Sequence, residues 1–180
     1  MLTLILLCGA AIAAFLLYRR FQRGAYLAGG VFRAPAPVPV PVRAAAKRLS
    51  YQPRANVHSI VSVNSAELCV TAMATAFAQM DDLAPPPPDI ITASVIKHFH
   101  PHPQQAADIT LLAVWLVEQG GGPTPAFERL TKRLKQLDHG PYFSKMMNVI
   151  GDVKAAGAKG MASAPQADAM GALARILRTA

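Results

Sequence analysis

A chain of 180 residues, 52% apolar and carrying fifteen prolines, has the length of one domain with appendages and too many prolines for all of them to sit in one compact core. The net charge of +8 raises nucleic acid as a partner, but its distribution argues against that: residues 1–66 hold eight basic side chains and no acid, whereas residues 67–180 hold ten of each. The two cysteines, Cys8 and Cys69, form neither a disulfide framework nor a metal pattern and fit a reducing compartment.

Leu2 to Tyr18 is uncharged and is followed by Arg19, Arg20 and Arg23. A secretory signal puts its positive charge before the apolar centre, and here the charge comes after it. Cys8 lacks the small preceding residue and basic start that lipidation needs. The run therefore reads as a membrane anchor over residues 1–23. Its seventeen residues, if helical, rise about 25 Å against about 30 Å of hydrocarbon. Arg19 and Arg20 can snorkel, and Tyr18 and Phe21 suit the interface. The positive-inside rule places the amino terminus outside and everything after Tyr18 in the cytoplasm, as expected of a single-pass protein of a bacterial inner membrane. Gly9, Ala10, Ala13 and Ala14 permit anchor pairing into a homodimer, and the basic flank attracts membrane lipids of anionic type.

Residues 24–63 read as a Pro/Ala-rich basic linker. In APAPVPVPV, prolines stand at 35, 37, 39 and 41. Alternate prolines remove backbone donors and bias their neighbours to extended geometry, so a semi-rigid polyproline-like spacer is expected. Ala44 to Leu49 allows one basic turn of helix that could lie on a lipid surface. A nucleic-acid arm competes with that reading, but few aromatics interleave the cations.

From Asn64 onward the apolar spacing predicts helices and no strands. NSAELCVTAMATAFAQM gives a helix from about Ser65, with Asn64 or Ser65 as cap, Glu67 placed as in a capping box, and Cys69, Met73, Ala76, Phe77 and Met80 as its stripe. Asp81, Asp82 and Pro85 to Pro88 stop it. DIITASVIKHFH gives a short helix with Ile91, Val95 and His98 on one side, broken by HPHPQQ. QQAADITLLAVWLVEQ is apolar over most of its surface, which marks it as the central helix. Its uncharged run between Asp108 and Glu118 is nine residues, too short to span a bilayer. GGGPT turns the chain, with Thr124 as cap and Pro125 at the first position of a helix buried through Phe127, Leu130, Leu134 and Leu137. Its Arg129, Lys132, Arg133 and Lys135 form a positive surface for solvent or a partner. PYFSKMMNVIGDVKAAGA packs through Phe143, Met146 or Met147, Ile150 and Val153. Residues 157–180 are expected as a flexible segment and a weak helix carrying Met170, Leu173, Ala174 and Leu177. The sum is all-α: an anchor, a linker and a compact bundle of five or six helices over residues 64–156.

Two stretches echo each other, Cys69 to Phe99 and Ile109 to Leu137. Each is an apolar helix, a polar or glycine turn, a proline-marked start with an acid nearby, and a second helix. This pattern resembles the TerB-like domain of the tellurite-resistance helical family, over roughly residues 60–156. The resemblance implies an all-α fold of two related units. A similar domain follows an amino-terminal anchor in membrane-bound DnaJ-type co-chaperones. The family turn carries an aspartate–glycine pair and then a glutamate. Here the first turn offers Asp81, Asp82 and Asp89, and the second offers Gly120, Gly121, Gly122 and Glu128 with no aspartate. The acidic metal pocket proposed for the family is thus half missing. The sequence has no HPD tripeptide and no J-domain, so any co-chaperone role would be indirect.

HFHPHP places His98, His100 and His102 within five residues. Imidazoles bind zinc, nickel or copper, and Asp81, Asp82 or His139 would complete a site if the turns met. Loop histidines need no metal, however, and no cofactor or bound metal is expected. Cys69 on the apolar stripe reads as a buried inert thiol. GGGPT lacks the lysine and preceding strand of a phosphate loop. Adjacent Asp81 and Asp82 do not converge on one substrate bond. The expected function is non-catalytic: a membrane-tethered cytoplasmic helical domain that binds a cytoplasmic or membrane protein. Envelope stress or a tellurite-resistance-like process is what the family resemblance implies. A metal-binding sensor or hydrolase built on the histidine turn, and a nucleic-acid binder using the basic linker, are the alternatives.

Overall fold

The computed structural model describes residues 38–81, 86–138, 140–157 and 161–178. The expected anchor with Arg19, Arg20 and Arg23, the first part of the linker, Asp82 and His139 lie outside the described residues. Among the described residues no helix is long and apolar enough to cross a membrane. Their regular structure is helical throughout, with no strand: α1 Val40–Arg48, a 3-10 helix Ser59–Ser62, α2 Ala66–Gln79, α3 Pro88–Phe99, α4 Pro103–Gln119, α5 Pro123–Leu137, α6 Pro141–Ala156 and α7 Ala164–Arg178. The all-α class expected from the periodicity is the class adopted.

Proline sets much of this segmentation. It stands at the first or second position of α1, α3, α4, α5, α6 and α7. There its missing N–H goes unused and its fixed φ already suits the helix. α5 thus starts at Pro123, after Gly122 at φ 104°, and not at Pro125 with Thr124 as cap. In α1 the same role falls to Pro41, which the alternating pattern had assigned to an extended spacer. α1 packs on α4, burying Val42 and Ala45, and Tyr51, Ile60 and Val63 join the same core. The compact unit therefore begins at Val38, not at residue 64. The apolar face of α1 is spent on protein.

The central helix is α2, not α4. Every residue from Leu68 to Ala78 is buried, and α2 packs against α3, α4, α5 and α6. Ala72, Ala74, Ala76 and Ala78 let the neighbours approach on all sides, while Met73 and Phe77 fill the gaps between them. Fully burying a side chain such as Phe77 contributes about 1.5–3 kcal/mol. The buried hydroxyls cost little because each donates one turn back: Thr71 to the Glu67 carbonyl at 2.8 Å and Thr75 to the Thr71 carbonyl at 2.9 Å. Ser65 is the cap, its Oγ accepting from the Leu68 N–H at 3.3 Å. Glu67 is then the second helical residue, one short of the capping-box position. α4 carries bulkier apolar side chains than α2, yet Leu111 is exposed and Val114 only half-buried.

Two further expectations change. Phe143 of α6 is exposed; Met146, Val149, Ile150 and Val153 form its inner face. The carboxyl-terminal segment is no loose helix over its described part. α7 packs on α5 through Ala169 and Leu173, and the buried Gln166 donates from Nε2 to the Phe77 carbonyl at 2.9 Å. Its Oε1 accepts from the Ser163 N–H at 2.9 Å, so the amide locks the start of α7 to the end of α2.

Candidate functional site

The arm from Val38 to Val63 shapes two concave surfaces on the bundle. The larger is a polar cleft of about 450 Å³ where the end of α1 meets the starts of α2 and α4. Arg48 spans it. The guanidinium donates from Nε to Asp108 Oδ2 and from Nη2 to Asp108 Oδ1, both at 2.6 Å, a bidentate pair. The Asp108 side chain is only 6% exposed, while Arg48 is half open to solvent. The Arg48 hydrogen bond holds the Asp108 carboxyl below its ordinary range despite burial, helped by the charge of Arg48 and a bond from Gln104. Reciprocally, that hydrogen bond raises the Arg48 pKa. Glu67 and His102 also line the cleft. Since Arg48 is already neutralised, the cleft is a clamp between α1 and α4 before it is anything else.

The second surface is an apolar groove of about 290 Å³ between α1 and α4. Val42, Tyr51, Leu112 and Trp115 form its floor, and Arg43 and Lys47 stand on its rim. Tyr51 meets Trp115 edge to face, with centroids 6.4 Å apart. Its hydroxyl donates to the Ser59 carbonyl at 2.8 Å, and burial pushes its pKa up to about 12. An apolar floor under two cations suits an amphipathic, anionic ligand.

A third cluster joins α3 to α6. Asp152 accepts from Ser94 Oγ at 2.8 Å, from His98 Nε2 at 2.9 Å and from Lys97 Nζ at 3.1 Å. Burial opposes the Asp152 charge, but these three donors outweigh it and its pKa lies below the ordinary value. Ser94 and His98 both donate to the same Oδ2, so the serine is not set against an imidazole nitrogen. Beside them Phe99 stacks on Tyr142 at 5.9 Å, and Lys145 Nζ sits 5.3 Å from the Phe99 ring centroid.

This geometry separates the histidine turn. His98 belongs to the Asp152 hub. His100 ends α3 in the left-handed region at φ 58° and is exposed. His102 caps α4, its Nδ1 accepting from the Gln104 N–H at 3.4 Å. The three do not converge, and among the described residues no group of three His, Cys, Asp or Glu could hold a metal ion. The positive surface on α5 is divided as well. Arg133 donates from Nε to the Val63 carbonyl at 2.7 Å, and Lys135 from Nζ to the Ile176 carbonyl at 2.9 Å. Only Arg129 and Lys132 stay fully on the outside. Cys69 is buried, as its place on the stripe suggests, and burial lifts its thiol to about 12 against the pull of Arg133.

Sequence reasoning missed Asp108 and Asp152 as structural hubs. Their partners lie 60 and 54–58 residues away in the chain, beyond the reach of any local pattern. An aspartate at a core-facing position of an apolar helix was the available signal. No protein-family model, curated protein or solved structure matches the chain.

Proposed function

We propose that the chain is a membrane-tethered helical interaction domain without catalysis of its own, held at the cytoplasmic face of an inner membrane by its amino-terminal anchor. The observation that carries this reading is the exposed cationic face of α5. Arg129 and Lys132 lie one turn apart with no ion-pair partner among the described residues. Beneath them Phe127, Leu130, Thr131 and Leu134 fix the helix in the core. A rigid face of this kind suits an acidic patch on a cytoplasmic protein or on the inner part of a membrane complex. Tethering raises the effective concentration, so a weak contact suffices. A TerB-like affiliation, and with it a role in envelope stress, accords with the all-α class and rests otherwise on the sequence resemblance.

The test is photo-crosslinking of the full chain in intact membranes, with the reactive group at exposed Thr124. A discrete crosslinked protein that disappears in the Arg129→Glu, Lys132→Glu double variant is the expected result. The same products from both forms would remove α5 as the docking face.

A further inference from the structure

We infer that the groove between α1 and α4 is a docking site for an anionic bilayer, with lipid phosphate on Arg43 and Lys47 and the apolar part of the lipid beside the exposed Val40 and over the groove that Trp115 lines. The inference deepens the proposed tethering and rests on it. Three observations point the same way. Arg43 and Lys47 are one turn apart on the exposed side of α1 and have no ion-pair partner among the described residues. The third cation of α1, Arg48, is neutralised by Asp108, so these two form the free rim. No acid occurs between Val38 and Ala66, and nothing on the arm itself opposes a negative surface.

Val40 supplies the apolar counterpart. It is 80% exposed and precedes Arg43 by almost one turn, so it stands on the same outer side of α1 as the cations. A cation pair with an adjacent apolar side chain is what an anionic headgroup layer over hydrocarbon selects. An acidic protein would satisfy the cations as well. The bilayer is favoured because the compact unit opens at Val38, a short span (residues 24–37) after the expected anchor of residues 1–23. A chain tethered so close to its compact unit would meet lipid at high effective concentration.

Trp115 makes the test direct, since it is the chain's only tryptophan and lines the groove. The full chain is reconstituted in phosphatidylcholine vesicles containing phosphatidylglycerol, with bromine on the acyl chains of one lipid or the other. Brominated phosphatidylglycerol is expected to quench Trp115, and brominated phosphatidylcholine in vesicles without the anionic lipid is not. The Arg43→Glu, Lys47→Glu double variant should lower the ratio of docked to undocked protein by at least about tenfold, since each cation near an anionic surface contributes a factor of about five. Val40→Ser provides a second variant at an exposed position, and circular dichroism confirms that both variants are folded. Equal quenching by the two lipids, or none, overturns the inference. So does emission that changes only with the protein-to-lipid ratio, because a second copy would then occupy the groove. Flotation after alkaline extraction reads the anchor separately. Protein stripped from both vesicle types would end the tethering proposal, while quenching by the anionic lipid would still decide the docking.

Discussion

α2 and α1 are both short, alanine-containing helices, yet their surroundings differ completely. α2 is enclosed by α3, α4, α5 and α6 and carries no charge after Glu67. α1 packs on α4 along one face and turns Val40, Arg43 and Lys47 to the outside. The centre is held by packing of small and large apolar groups, which no single contact dominates. The arm is held by a few apolar anchors and one directed ion pair, Arg48 with Asp108. Enclosure gives α2 stability and leaves it nothing to display. Partial attachment gives α1 a surface, at the cost of a smaller hold on the bundle.

The strongest way to break this comparison is to cut both helices. Phe77→Ala is expected to destabilise the protein by about 3–5 kcal/mol in denaturant melts, because the cavity lies where surrounding helices cannot collapse. Val42→Ala should cost about 2 kcal/mol or less and should speed hydrogen exchange at α1 amides before the rest of the bundle responds. Equal losses, both global, would mean that α1 is no more separable than α2.

pH sharpens the same contrast. Asp108 and Asp152 have folded pKa values below the ordinary 3.8. Each contributes stability that is complete above that value and is lost as pH falls through the folded one. His58 is also lowered from 6.5, by burial and the charge of Arg129 against a hydrogen bond that its ring donates to the Gln119 backbone, so its contribution already declines as pH drops below 6.5. Cys69 and Tyr51 run the other way, raised to about 12 from 9.0 and 10.0. Their stabilisation is complete below those ordinary values and fades as pH climbs towards 12. Because Asp108 clamps the arm, acid should shift Trp115 emission before helical circular dichroism is lost. Because Cys69 lies inside α2, alkali should move both signals together.

The smallest effect is expected at the tip of α1. Val40→Ser should change stability by less than about 0.5 kcal/mol in the same melts, as for other exposed positions away from special contacts. A larger loss would show that the outer side of α1 is bound to the bundle after all.

The sequence made the helical class readable because each apolar stripe has the helical period and each break is marked by proline or glycine. It made the order of burial harder to read. α2 is built of alanine, threonine and cysteine, which look unremarkable beside the bulkier Leu111, Leu112, Val114 and Trp115 of α4. Small residues buried on every side hide how far burial extends beyond the stripe of Cys69, Met73, Ala76, Phe77 and Met80, so the periodic signal is weakest where burial is most complete. The arm was hidden for a different reason. Alternating prolines have one meaning in an extended spacer and another at a helix start, and only Val42 and Ala45 against α4 decide between them. At the candidate sites, the histidine turn attracted attention because its members are adjacent in sequence, whereas the bonds that matter to His98 and Arg48 reach across the fold.

Four of the seven described helices open on a proline. The residue before a proline is steered away from helical geometry, so such a helix cannot wind backward into the loop that precedes it. Each inward-facing set of side chains is then counted from its own fixed origin. Connecting segments can lengthen or shorten during evolution without rotating the next rod, and variation in them will be absorbed outside the core.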